Sequence, residues 1–341
     1  MIVWNFFKRL AYFVLVTAGI VFVLCRLSLW GGAVDRDITK TLCAAKRNAV
    51  RSGVIRGEPG RTNVLFMGDS QILAGIMPSE FDGLCDNRTY SWNLALPAMP
   101  VGPQYFQLQD YLKKNPPPAI IVLSLAPFGA PPSPLFGYYG IQGAGGFGEI
   151  YSYYRNQSDS TILWNYVLPI RDPLYSTKFL QRAKTSLLHP GEIDKIRAEN
   201  DGIVSLMFQG RGYYFMHEEV LPEDYVFPQS AIDTQAEQKL LFDEDPYVRL
   251  FFGLAQQNHI RVLLVEPAMA TNRPTNRVNL RPYYEKFQRD YAGTVFFAKD
   301  GWAPKRYENR FFSDPVHLNR SGAERYTRDV QAQFVEVFGT P

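Results

Sequence analysis

Residues 63–70 read Asn63-Val64-Leu65-Phe66-Met67-Gly68-Asp69-Ser70, and the fold is decided there. Asn63–Met67 is a short apolar run with no polar alternation, which predicts a strand buried on both faces. Gly68 permits a tight turn, and Ser70 starts a predicted helix, Gln71–Ile76. Four more runs of the same kind lie outward along the chain: Thr89–Leu94, Ala119–Leu125, Arg261–Val265 and Thr294–Ala298. Helical stretches are expected at Gln104–Lys114, Tyr247–Gln257 and Ala323–Phe338. Strand and helix alternate, so the expected fold is α/β, a parallel sheet with helices on both faces. In such a sheet the C-terminal ends of the strands form the site. A serine in that place presents its hydroxyl to solvent, and its N–H lies at a helix start, where an anion is favoured.

The region from about 126 to 235 lacks this rhythm and is rich in Gly, Pro and Tyr. A structureless stretch of that size is uncommon, so an inserted cap with helix of its own is expected. Tyr138, Tyr139, Tyr151, Tyr153, Tyr154, Tyr166, Tyr175 and Trp164 concentrate in it. Aromatic faces suit sugar rings; the alternative is that these rings form the insert's own core.

The first thirty residues predict a membrane anchor. Leu10 to Cys25 carries no charge, and it reaches spanning length if Arg26 snorkels to the interface. Trp4, Phe6, Phe7 and Trp30 resemble interfacial anchors, and Lys8 and Arg9 predict a cytoplasmic N-terminus. The rival is a cleaved signal peptide with small residues at Gly31-Gly32-Ala33. The expected organisation is an anchor at 1–30, a stalk or opening helix at 31–60, and a body at 61–341 with the insertion.

Composition narrows the function. The chain has 341 residues, is 46% hydrophobic and 20% charged, and so is no disordered segment. Lys8, Arg9 and Arg26 are the only charged residues of the first thirty, and the rest balances basic against acidic groups. A neutral body without a basic block does not suit nucleic acid. Three Cys exclude a disulfide scaffold. Cys43 and Cys85 could pair after export or remain thiols. No Cys/His cluster is present, so neither a metal nor another cofactor is expected. Of the triplets at Asn87, Asn156 and Asn319, the last lies beside the expected site, where a glycan would obstruct.

The second motif is Asp314-Pro315-Val316-His317, followed by Ser321-Gly322-Ala323-Glu324, read as a capping box opening the last helix. Three-residue spacing lets Asp314 accept a hydrogen bond from one His317 nitrogen, leaving the other to take a proton from Ser70. His189, His217 and His259 have no partner at useful spacing.

Gly68-Asp69-Ser70 near the start and Asp314-x-x-His317 near the end resemble the SGNH/GDSL hydrolase superfamily over about 61–335, the insert omitted. The resemblance implies a flavodoxin-like three-layer α/β/α domain with a parallel five-stranded sheet. It implies Ser70 as nucleophile, His317 as base and Asp314 as orienting acid, with the N–H groups of Ser70 and Ala98 in the oxyanion hole. Ala98 stands where the family has glycine. Phe128 stands where it has an asparagine that donates to the oxyanion, and losing one such donor costs on the order of 10²–10³ in rate. Asp69, Gln71, Asn93, Tyr138, Tyr139 and Trp164 are candidates for contacting substrate. With the anchor, the chain is similar to envelope SGNH proteins of alginate O-acetylation and teichoic-acid D-alanylation. That implies an O-acyltransferase at the inner membrane, its domain periplasmic or extracellular. A polysaccharide would be its substrate and a membrane-bound O-acyltransferase its partner. An esterase or deacetylase of the same fold, and a non-catalytic polysaccharide-binding subunit, are the alternatives.

Overall fold

The computed structural model describes residues 2–30, 38–97, 99–125, 140–141, 145–158, 160–167, 188–214, 219–227, 245–273 and 280–341. Ala98, Phe128, Tyr138, Tyr139 and the candidate cleavage residues 31–33 lie outside them.

In chain order the elements are helix α1 (Ile2–Trp30), α2 (Ile38–Arg51), strand β1 (Thr62–Met67), α3 (Ser70–Gly75), α4 (Pro78–Leu84), β2 (Thr89–Asn93), α5 (Val101–Leu112) and β3 (Ile120–Leu123). The insert contributes α6 (Phe147–Gln157), α7 (Ser160–Val167) and α8 (Pro190–Gln209). Then come α9 (Pro246–Gln257), β4 (Arg261–Leu264), β5 (Met269–Ala270), α10 (Arg281–Asp290), β6 (Val295–Phe297), β7 (Arg306–Tyr307) and α11 (Arg320–Phe338).

Five strands form one parallel sheet in the order β2-β1-β3-β4-β6, with register Phe66↔Asn93, Met67↔Leu123, Leu264↔Leu123 and Leu264↔Phe297. Alternate side chains supply two cores, one on each face. Leu65, Met67, Ile121, Leu123, Val262 and Leu264 pack with Phe106 of α5, Phe252 of α9 and Tyr284 of α10. Val64, Phe66, Ile120, Val122 and Leu263 pack with Ile72 of α3, Phe81 of α4 and Tyr326, Val330 and Phe334 of α11. Three layers result. Full burial of one such side chain contributes roughly 1.5–3 kcal/mol, so both helical layers are held by the apolar runs that marked the strands.

β2 is an edge strand, and an open edge invites pairing with another chain. Here the turn after α8 covers it. The Asn93 N–H donates to Arg211 O at 2.9 Å. The Arg211 guanidinium pairs with buried Asp82 and lies 5.0 Å over the Tyr90 ring. Asp82 also accepts from Thr89 Oγ1 at 2.7 Å and from the Ser91 N–H at 3.1 Å, and the Ser91 hydroxyl donates to Pro78 O at 3.1 Å, which accounts for two polar side chains in a buried strand. Gly212 follows with φ +90°, and a Cβ there would meet Asn93 O at 2.0 Å.

Of the two readings of residues 31–60, the opening helix holds over 38–51 and the stalk does not. These residues form α2, which is built into the body. Leu42 joins one core, Cys43 and Val50 the other, and Lys46 and Arg47 are fully buried. The basic residues that gave the segment its linker character face inward to partners. Arg47 Nη2 pairs with Asp110 Oδ2 at 2.7 Å and Glu149 Oε2 at 2.9 Å. Arg51 reaches the same two acids at 2.7 and 3.1 Å. The network joins α2, α5 and the first helix of the insert.

α1 is one 29-residue helix whose large side chains are exposed, among them Trp4, Phe7, Tyr12, Phe13 and Leu15. Among the described residues no helix is long and apolar enough to cross a membrane. In α1 the side chains at positions 2, 3, 22 and from 24 to 30 are outside the description. The expected spanning segment is therefore matched here only by an apolar N-terminal helix. Cys43 and Cys85 are both buried free thiols, in opposite cores, so they do not pair.

Removing Arg47 takes away the one fully buried cation on Asp110 and leaves it to the more exposed Arg51 and Lys113, a change expected to cost about 3 kcal/mol, the low end for a broken buried pair. Arg47→Ala is expected to lose that much in denaturant unfolding, and Arg51→Ala, a half-exposed partner, less. Equal losses would show that burial does not set the network's strength. Burial alone would raise the Asp110 pKa, but Arg47, Lys113 and Arg51 hold it below its ordinary value. The network's contribution is thus present above the unfolded carboxyl pKa and fades as pH falls through the lower folded value.

Candidate functional site

In this strand order the chain turns from one half of the sheet to the other between β1 and β3. A crevice forms there at the C-terminal ends of the strands. Ser70 follows β1 at that point. Gly68 makes the turn with φ +156°, and a Cβ on it would come within 2.6 Å of Ile72 Cγ1 and 3.3 Å of Ser124 Cβ. Asp69 is the N-cap of α3 and accepts from the Gln71 N–H at 2.9 Å. Ser70 is thereby fixed as the first residue of the helix.

The second motif reaches the same rim from the other end of the chain. A bridge between Phe312 and Leu318 closes the loop that carries Asp314 and His317. Inside it the His317 carbonyl accepts from the Ser313 N–H at 2.9 Å. Asp314 Oδ1 accepts from the N–H groups of Val316 and His317, each at 2.8 Å. Its Oδ2 lies 2.7 Å from His317 Nδ1. His317 Nε2 lies 2.8 Å from Ser70 Oγ. Hydroxyl, imidazole and carboxylate form one line of hydrogen bonds between residues 247 positions apart.

Burial works against the Asp314 charge, but the hydrogen bond to His317, the imidazolium charge and two backbone N–H groups outweigh it and lower the pKa. An ionised carboxylate holds Nδ1–H, which leaves Nε2 free to accept the Ser70 proton. Such an arrangement can run nucleophilic acyl chemistry.

The last helix does not start with the Ser321 box. Its N-cap is Asn319, whose Oδ1 accepts from the Gly322 N–H at 3.0 Å. The Asn319 amide donates to Arg310 O at 2.7 Å. The Asx cap two residues after His317 outcompetes the serine because its amide can also bind the preceding turn. That amide is buried and occupied, so the triplet at Asn319 is not an acceptor for a glycan.

Asn93 is not available to substrate. It is completely buried, its amide donates to Ile72 O at 2.8 Å and Ile76 O at 3.0 Å, and its Oδ1 accepts from the Ala95 N–H at 3.1 Å. It ties the end of β2 to α3, a structural role. Gln71 is buried, and its Oε1 has no hydrogen-bond partner among the described residues. Trp164 is half exposed on α7. The insert's tyrosines divide: Tyr153 is buried 5.3 Å from the Tyr247 ring, while Tyr151 stays exposed and stacks on Phe147. Asp69 is pushed up to about 6 by burial, against the Gln71 N–H and the nearby His317.

Lys46 is a contributor that the sequence did not disclose. Its Nζ donates to Asn93 O at 2.8 Å and Ala95 O at 2.7 Å. The segment it pins runs on to Leu96, whose N–H donates to Gly68 O at 3.0 Å, so the pinned turn abuts the nucleophile turn. Burial lowers the Lys46 pKa well below its ordinary value, partly opposed by Cys43. The available signal was the apolar spacing Leu42, Cys43, Val50 around it.

Beside the loop, Met77, Tyr213, Asn319, Arg320 and Ser321 line a cavity of about 670 Å³, large enough for a small ligand. The Tyr213 hydroxyl is buried without a partner among the described residues, and burial pushes its pKa up to about 12.

No protein-family model matches the chain, and no curated protein matches it.

Because folding raises the Asp69 pKa, its contribution is most favourable at low pH and is lost as pH rises from the unfolded value of 3.8 through about 6. Asp69→Asn is expected to remove that loss. Its unfolding free energy relative to the native protein should improve by about 3 kcal/mol between acid and neutral pH. A difference that does not change with pH would mean that folding leaves the carboxyl pKa at its unfolded value.

Proposed function

We propose that the protein is a membrane-anchored, extracytoplasmic serine O-acyltransferase of SGNH type. It transfers an acyl group, acetyl in the simplest case, to a hydroxyl of an envelope or exported polysaccharide. The observation that carries this reading is the hydrogen-bonded line Ser70 Oγ, His317 Nε2, His317 Nδ1, Asp314 Oδ2 at the switch point of the sheet.

In the first half-reaction Ser70 Oγ attacks the donor's acyl carbonyl while its proton passes to His317 Nε2. Asp314 stays ionised and stabilises the imidazolium. The N–H of Ser70 opens helix α3, where first-turn N–H groups have no intrahelical acceptor, and it faces the developing oxyanion. The tetrahedral adduct collapses to acyl-Ser70, and His317 returns the proton to the leaving group. In the second half-reaction His317 takes the proton of a sugar hydroxyl, which attacks acyl-Ser70; the bond from the acyl carbon to Oγ breaks, His317 returns the proton to Oγ, and the ester remains on the sugar. Transfer must outrun hydrolysis, so a covering segment at the rim has a physical use. The insert leaves the sheet after β3 at that rim and returns at α9.

Membrane attachment rests on α1. Leu10 to Cys25 carries no charge, Lys8 and Arg9 precede it, and Trp4 and Trp30 flank it. In water its exposed Phe13, Leu15 and Ile20 would be unfavourably hydrated, and a bilayer removes that cost.

A serine-reactive phosphonate is expected to label Ser70 in the native chain and to spare Ser70→Ala. No labelling would favour a polymer-binding subunit. Ser70→Ala and His317→Ala should each lower turnover by roughly 10³-fold or more, and the double variant should be little worse. With an acetyl donor, added polysaccharide should divert acetyl from free acetate into polymer ester. Acetate release indifferent to polymer would identify an esterase.

A further inference from the structure

The direction of α2 bears on where the Ser70 rim points. The rim is the edge where strands end: β1 reaches it at Met67, just before Ser70, and β2 at Asn93. Lys46 binds the carbonyls of Asn93 and Ala95, so the middle of α2 stands level with that edge. The chain beyond α2 arrives at the other edge, where the Glu58 N–H donates to Asn63 Oδ1 at 2.8 Å near the start of β1. A second fix agrees. Arg47 and Arg51 bind Asp110, close to the C-terminal end of α5, and α5 has descended from the rim toward the start of β3. α2 therefore runs from the rim downward. Its N-terminal half, eight residues before Lys46, continues about 12 Å past Lys46 on the rim side. There Leu42 and Ile38 pack with Met207, Ile203 and Val204 of α8.

The apolar helix α1 ends at Trp30, and residues 31–37 connect it to Ile38. Whatever their conformation, these residues span at most about 29 Å. The tether is thus attached at the rim that carries Ser70, Asp314 and His317. Turning the opposite edge to the bilayer would need the connection drawn out to nearly full length along the flank of the body.

We infer that the rim bearing Ser70 and His317 faces the lipid bilayer, so that the acyl donor reaches Ser70 from the membrane side. The inference rests on the membrane reading of α1 and is independent of whether Ser70 reacts.

The test uses the full chain in liposomes, with Cys25→Ser removing the thiol of α1; Cys43 and Cys85 are buried. Arg320→Cys, exposed at the rim start of α11, and Lys114→Cys, exposed beyond the end of α5 at the other edge, each carry a donor fluorophore. Headgroup-labelled lipid is the acceptor. The edges are separated by about 20 Å of strand, plus loops. Energy transfer from position 320 is expected to exceed that from 114 by at least about twofold. Equal transfer, or the reverse order, in a chain that floats with the vesicles overturns the orientation and leaves the acyl-transfer reading intact. A chain that does not float with vesicles overturns the membrane reading and this inference together, while phosphonate labelling of Ser70 in the same samples reports on the chemistry alone.

Discussion

Every strand of the main sheet runs parallel to its neighbours, and a parallel sheet must be covered on both faces. The chain therefore returns to the same starting edge before each strand, and each return lays down a helix. All the segments that leave the strands gather on the other edge. Residues as far apart as Ser70 and His317 meet because both belong to segments at that edge. The strands need no polar residues to do this; Val64, Leu65, Phe66 and Met67 only have to be apolar on both sides.

The same constraint explains what could be read from the amino-acid sequence. Runs such as Asn63–Met67 and Arg261–Val265 carry no alternation, and they sit where five parallel strands occur, within a residue or two at each end. The motif at 314–317 was legible because its spacing alone brings a carboxylate to an imidazole. The start of the last helix was not, since Ser321 and Asn319 both have capping side chains. The choice falls to the turn carbonyl at Arg310, which only the fold brings near.

Residues 38–51 left stalk and opening helix both open for a related reason. Lys46, Arg47 and Arg51 look like surface charges in a linker, and a sequence does not show that Asp110, Glu149 and two main-chain carbonyls will meet them. Asn93 was misplaced similarly. A polar side chain at the end of a strand can face substrate or hold the backbone of the next helix, and the carbonyls of Ile72 and Ile76 decide for the latter. Buried polar groups take partners distant in sequence, whereas apolar burial is written locally.

The two thiols offer a last consequence. Cys43 lies on one side of the sheet and Cys85 on the other, each buried and neither in a disulfide. An alkylating reagent can reach either one only when its own layer opens. The rates at which the two positions are modified would therefore time the breathing of the two layers separately, with no probe added to the protein and no dependence on the redox potential around it.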